Sequence, residues 1–397
     1  MQLASRLSRF NEPETLKMAK LGRELRSQGH DVIDLSIGEP DFDVPQHVKD
    51  AAKRAIDDNW SHYSPVAGYP DLKAAVCEKL KRDNNLEYAP ENIVVSTGAK
   101  QSLANIILSI VNEGEEVIIP TPYWVTYAAL VQLGKGIVKE LKTTPQSRYK
   151  ITPKELEAAI TPNTKAFLFS SPCNPSGAVY SKDELEKLAD VFRKHPQVYI
   201  ISDEIYEYIN YGSSHESIAQ FDGMKDRTII VNGLSKGFAM TGWRLGYIAA
   251  PKEIVKGCEK LQGQMTSGAN SVAQKAAVVA LTSSLQPTMD MVKEFTRRRE
   301  RVVELLQAIP NVELAIPDGA FYAFPVVKAY FGKTTPAGEK IGNADDLCMY
   351  LLNTAHVSTV TGSAFGDGDC IRLSFANSMT NIEKALARVT KALADLK

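Results

Sequence analysis

The chain has 397 residues, 44% of them hydrophobic and 23% charged, too many for one typical domain and with ample apolar material for a core. Its formal net charge of -1 and pI near 6.6 leave no global field to recruit nucleic acid or an anionic membrane. Five cysteines (77, 173, 258, 348 and 370) are odd in number and form no C-x-x-C pair, which argues against a disulfide framework or a zinc site and suits a reducing compartment.

The N-terminal stretch "MQLASRLSRFNEPETLKMAK" carries charges throughout and lacks an apolar signal core. No apolar run approaches the roughly 18 residues that span a bilayer, so a cytoplasmic protein is expected. From about residue 92, β-branched runs alternate with amphipathic segments: "IVVS" (93–96), "EVIIP" (116–120), "GIVKELK" (136–142), "KAFLFS" (165–170), "VYIISD" (198–203), "TIIVN" (228–232) and "GYIAA" (246–250). This alternation predicts an α/β fold with a mostly parallel sheet flanked by helices and buried on both faces. After about residue 285 the character changes to a long charged helix (287–307), strands in "VELAIP", "AFYAFPVV" and "CIRLSF", and a closing helix at 380–396. The expected division is a large domain over 45–285 and a smaller α+β domain from 1–44 and 286–397. The basic run "TRRRER" at 296–301 reads as a solvated helix face.

Two common α/β chemistries fail on their motifs. A dinucleotide fold wants G-x-G-x-x-G, but Gly366-Asp-Gly368 has Ile371 at the third glycine position; a P-loop ending at "FGKTT" (331–335) has Val327 at its first. The informative residues stand at the carboxyl ends of the predicted strands, where open α/β sheets bind ligands. They are Thr97-Gly98-Ala99-Lys100 opening a helix, Thr121-Pro-Tyr-Trp124, Asn174-Pro-Ser-Gly177, Asp203-Glu-Ile-Tyr206, and Ser235-Lys236. Singly they have plainer readings: a cap for Asp203, core for Trp124, a turn for Gly98. Together they describe a site for a phosphorylated aromatic aldehyde. Lys236, in "RTIIVNGLSKGFAMTGWRLGY", sits among small and apolar neighbours. Such a surround disfavours an ammonium and frees the amine as a nucleophile.

In this order, "NPSG", "SDEIY", "SKGFAMTGWRLGY" and "IRLSFA" make the chain resemble the class I/II, fold-type I aminotransferases that depend on pyridoxal phosphate. With "IGEPDF", "HYSPVAGYPDL", "STGAKQ" and "TPYW" it is most similar to the bacterial branch of aspartate aminotransferases. The resemblance covers essentially the whole chain. Cys173 and Ser176 replace the family's commoner Asn and Thr in this turn, but Asn174 is retained.

The resemblance implies a role for each of these residues. Lys236 bonds the cofactor aldehyde and later moves the substrate proton; Asp203 pairs with the pyridine nitrogen; Asn174 and Tyr206 donate to the phenolic oxygen; Trp124 stacks on the ring. Gly98, Ala99 and Lys100 at the helix start, with Ser235 and Arg244, hold the phosphate. Tyr63 reaches the phosphate of a neighbouring subunit, which makes the protein a homodimer with shared sites. Arg372 forks onto the substrate α-carboxylate, with Gly38, Trp124 and Asn174 beside it. Lys100 takes the distal carboxylate, and Thr15 lies on an N-terminal segment that closes over the substrate. The implied reaction is ping-pong transfer of the amino group of L-aspartate to 2-oxoglutarate. Prephenate or aromatic amino acids are alternative substrates, and a β-lyase on the same scaffold is a further alternative.

Overall fold

The β-branched runs of the middle of the chain form one sheet because their alternate side chains are apolar on both faces. The computed structural model describes residues 3–212 and 214–397. The chain begins with α1 (Glu14–Ser27), β1 (Ile33–Asp34), α2 (Gln46–Asp57), α3 (Pro70–Asn84), β2 (Ile93–Ser96), α4 (Ala99–Ile110), β3 (Glu116–Pro120), α5 (Thr126–Leu133) and β4 (Ile137–Leu141). It continues through α6 (Pro153–Ala159), β5 (Thr164–Ser170), α7 (Lys182–Lys194), β6 (Tyr199–Asp203), β7 (Thr228–Gly233), β8 (Gly246–Ala249), α8 (Lys252–Met265), α9 (Ser271–Thr282) and α10 (Gln286–Gln307). The last elements are β9 (Tyr322–Ala323), α11 (Ala344–Tyr350), β10 (Val357–Ser358), β11 (Val360–Thr361), β12 (Ile371–Ser374) and α12 (Met379–Ala394).

Seven strands pair in the order β2-β8-β7-β6-β5-β3-β4. Only β8 runs against the others. Val117, Ile119, Ala166, Leu168, Ile201 and Val231 pack one face against α4, α5 and α8. The alternate residues Ile118, Phe167, Phe169 and Ile200 pack the other face with side chains of α6 and α7. This period of two with both sets apolar is the pattern of a doubly covered parallel sheet. The edge strand β4 is the exception, and Ile137 on it is exposed.

A separate apolar cluster joins Met18, Ile33 and Leu35 near the N-terminus to Phe295 of α10, Phe321, Leu347 of α11, Leu373 of β12 and Leu386 of α12. There β11, β12 and β9 form an antiparallel three-stranded sheet, and β1 pairs in parallel with β10.

The structure departs from the sequence reading at two places. "VELAIP" forms no strand; Glu313 makes a single bridge to Val326. Pro317 has no N–H for a ladder, and the chain beyond it is held instead by Gly177, whose carbonyl accepts from the backbone N–H of Asp318 and of Gly319. The basic run is not wholly solvated either. Arg298 is buried, with its guanidinium 2.6 Å from Asp41 and 3.0 Å from Glu294.

Candidate active site

A cavity of about 430 Å³ opens at the carboxyl edge of the large sheet, between that edge, the N-terminal segment and β12. The topology brings the motif residues there. β2, β6 and β7 all run toward this edge, so the residues that leave their carboxyl ends lie at it. Because β8 is antiparallel, Gly246 at its start pairs with Ser96 and Gly233 at the ends of β2 and β7. Arg244, just ahead of β8, therefore reaches the same edge as Ser235 and Lys236 behind β7.

Gly98 has φ +83°, a left-handed conformation open to glycine, and a Cβ there would collide with the Arg244 guanidinium. Its lack of a side chain lets Arg244 lie against the start of α4, which no side chain caps. Uncapped first-turn N–H groups and the helix dipole favour an anion at that point. Arg244 Nη1 donates to the Thr241 carbonyl at 2.8 Å.

Asp203 ends β6 and is buried. Its Oδ2 accepts from Tyr127 Oη at 2.6 Å. Burial pushes its carboxyl up to about 6, against the pull of the Tyr127 hydroxyl. Lys236 lies across the cavity floor, with Nζ donating to the Gly38 carbonyl at 2.5 Å and facing the Tyr206 ring at 5.7 Å. Burial lowers its ammonium to about 8; Glu39 opposes this, while Arg372 and Arg244 add to it. An amine in that range is deprotonated for part of the time near neutral pH, as a nucleophile must be.

Arg372, on β12, is the largest fully buried side chain. Its Nη1 donates to Asn174 Oδ1 at 3.1 Å and its Nη2 to the Ser36 carbonyl, while Nε has no partner. The guanidinium lies 4.6 Å over the Tyr322 ring. Tyr206 and Tyr322 share a hydrogen bond of 2.7 Å between their hydroxyls. Among the described residues, Lys100, Lys236, Arg244 and Arg372 all line this cavity and none has a carboxylate within ion-pair distance, while only Glu39 and Asp203 of the lining residues are acidic. An excess of unpaired cations in a partly desolvated cavity calls for anionic ligands.

Of the residues singled out in the sequence, Thr15, Gly38, Ala99, Lys100, Trp124, Asn174, Asp203, Tyr206, Ser235, Lys236, Arg244 and Arg372 all line the cavity. Gly98 stands just behind it. Tyr63 does not reach it; that side chain is 98% exposed. Sequence reasoning missed Tyr127, Tyr322 and Arg23, which also line it. Tyr127 stands three residues after Trp124, across the turn that opens α5, a proximity that could have flagged it. Tyr322 and Arg23 carry no local signal.

The sequence pattern of aminotransferase class I and II matches residues 30–389. The chain belongs to that family, whose members are transaminases dependent on pyridoxal phosphate. A protein of Rhizobium leguminosarum bv. phaseoli described as a probable aspartate/prephenate aminotransferase is 42% identical over 391 residues, 98% of each chain. The crystal structure of aspartate aminotransferase from Rhizobium meliloti superposes with a TM-score of 0.96 at 42% identity, covering 100% of both chains. Thermus thermophilus aspartate aminotransferase with maleate gives 0.92 at 38% identity, over 99% of this chain and 100% of that one. No helix among the described residues is long and apolar enough to cross a membrane.

Proposed function

We propose that this transaminase moves the amino group of L-aspartate to 2-oxoglutarate, giving oxaloacetate and L-glutamate by a ping-pong reaction. The observation that carries the reading is the set of unpaired cations, Lys100, Arg244 and Arg372, around one lysine and one buried carboxylate. They offer a place for a phosphate and for both carboxylates of a diacid.

Pyridoxal phosphate fits the residues present. The uncapped start of α4 at Gly98, Ala99 and Lys100, with Ser235 and Arg244, suits its phosphate. Buried Asp203 suits a protonated ring nitrogen, and an ion pair there would return the carboxyl toward its charged form. Asn174 and Tyr206 suit the phenolic oxygen and Trp124 the ring face. When bound, this group supplies an aldehyde that condenses with amines and an electron-poor ring that takes up the electron pair left at a deprotonated carbon. Lys236 would be the residue that holds it, and its amine would serve to carry the proton of the substrate Cα. Arg372 and the backbone at Gly38 orient the α-carboxylate, and Lys100 receives the distal one. Thr15 and the rest of α1 exclude water when the smaller domain (1–44 and 286–397) closes on the larger (45–285). The distinct apolar clusters on either side of the cavity support that division.

The reading includes a homodimer in which Tyr63 serves the partner's phosphate site, supported by its full exposure. It also includes a cytoplasmic setting, supported by five free cysteines. A second reading, transamination of prephenate or an aromatic amino acid, is favoured by Leu16 and Ile37, apolar and exposed where they line the cavity.

The visible spectrum of the protein with pyridoxal phosphate tests this. L-Aspartate alone should bleach the absorption band of the lysine-bound cofactor, and 2-oxoglutarate should restore it. Bleaching by an aromatic amino acid but not by aspartate would overturn the substrate. No such band would overturn the role of Lys236.

A further inference from the structure

These roles leave one cation of the cavity without a task. Arg23 lines it from α1, on the same stripe as Thr15 and Ala19 at spacings of four residues. Side chains so spaced lie on one helix face, spread over about 12 Å of its length. Arg23 is exposed. Among the described residues its side chain makes no hydrogen bond and no ion pair, whereas that of Arg26, one turn further on, donates to the Val32 carbonyl at 3.0 Å and lies 3.5 Å from Asp34. Lys100 occupies a different wall, at the start of α4, with Nζ 5.0 Å from the centre of the Trp124 ring. Burial and the neighbouring Arg244 lower its ammonium.

Two-substrate transamination, on which this inference rests, brings a four-carbon and a five-carbon diacid to one site. With the α-carboxylate fixed on buried Arg372, the distal carboxylate of the longer diacid ends one carbon–carbon bond further out. A lysine whose tip lies over an indole cannot be placed best for both. An unpaired arginine has the longer reach, and its fork can grip a carboxylate with two donors.

We propose that Arg23 is a specificity-determining residue that binds the distal carboxylate of the five-carbon substrate, while Lys100 serves chiefly the four-carbon one. A guanidinium that pairs only when the longer diacid is present explains why it lines the cavity without a protein partner. Because α1 also carries Thr15, the same contact ties binding of the diacid to closure of the N-terminal segment.

The test is calorimetric titration of the cofactor-loaded protein with succinate and with glutarate, unreactive diacids of four and five carbons. Arg23→Gln should weaken glutarate about five-fold or more and succinate less than two-fold, with Arg23→Lys retaining most of the glutarate affinity. In turnover, Arg23→Gln should raise KM for 2-oxoglutarate rather than lower kcat, and leave KM for aspartate nearly constant. Equal losses for both diacids would mark a general effect on α1 and overturn the assignment, as would no change for either. If the wild-type protein binds glutarate and succinate but the variant does not discriminate, only the role of Arg23 falls. If the wild-type protein binds neither, the dicarboxylate reading of the whole site falls with it.

Discussion

At the scale of single residues, the role proposed for Asp203, holding a proton on a ring nitrogen, requires a charged carboxyl, yet its site is one that neutralises acids. Burial raises it to about 6, and the Tyr127 hydroxyl at 2.6 Å is the side-chain donor that works against burial. Tyr127 is itself fully buried, and its hydroxyl is pushed well above its ordinary range, so it donates and does not ionise. Tyr127→Phe removes that donor without opening a cavity. A hydrogen bond to a charged group contributes about 1.5–3 kcal/mol, so the loss should raise the ionisation of Asp203 by about one to two pH units. Infrared titration of the carboxylate band in the cofactor-free protein, with Asp203→Asn as the reference, reads this directly. A titration unchanged in Tyr127→Phe would remove Tyr127 from control of Asp203.

At the scale of elements, the segment that leaves β6 works on two sides. Asp203 and Tyr206 face the cavity; Glu204 and Glu207 face away into a buried polar cluster. Glu207 meets Lys79 of α3 at 2.5 Å, Asn84 at 3.0 Å and Asn232 at 2.8 Å. Glu204 meets Ser202 at 2.9 Å, Ser217 at 2.6 Å and His215 at 3.0 Å. Buried carboxylates persist only with such partners, and these fix the backbone that aims Asp203. Burial pushes Glu204 up, but His215 and the two serines outweigh it and hold the carboxyl below its ordinary 4.5. Burial pushes His215 down, but Glu204 outweighs that and holds the imidazolium above its ordinary 6.5. A depressed acid stabilises the fold above its unfolded value and loses this as pH falls; a raised histidine does so below its unfolded value and loses it as pH rises. The pair therefore contributes fully between pH 4.5 and 6.5. His215→Gln should cost about 3 kcal/mol in denaturant unfolding at pH 5.5, and progressively less as pH rises far enough above 6.5 for the wild-type imidazole to lose its proton. A cost that stays constant across the whole pH range would show packing, not charge, at that position.

At the scale of the whole molecule, what was legible in the sequence is what depends on neighbours along the chain. The seven strands of the large sheet were readable because buried parallel strands are short apolar runs, and the polar residues after them had to gather at one edge. The place of Lys236 and Asp203 at the cavity was legible for that reason, whereas Arg372, on β12 of the other sheet, was flagged only through the resemblance. What depends on distant partners was not: buried Arg298 meets Asp41 from 257 residues away as well as its helix neighbour Glu294, "VELAIP" alternates like a strand but ends at Pro317, and Arg23 becomes part of the cavity only when α1 folds over it. Tyr63 belongs to the same class, since a tyrosine 98% exposed in a single chain has its proposed partner on another molecule. That proposal makes a demand on stoichiometry. A Lys236→Ala subunit has no nucleophile, and a Tyr63→Ala homodimer lacks the tyrosine at both sites. In a mixed dimer, however, the Lys236 of the second variant faces the intact Tyr63 of the first, so one site per dimer is whole. Unfolding and refolding the two variants together should therefore give more activity than the sum of the two refolded apart, approaching a quarter of wild type if subunits pair at random. Sedimentation should show dimers throughout. Monomers, or a mixture no better than its parts, would place Tyr63 outside any shared site.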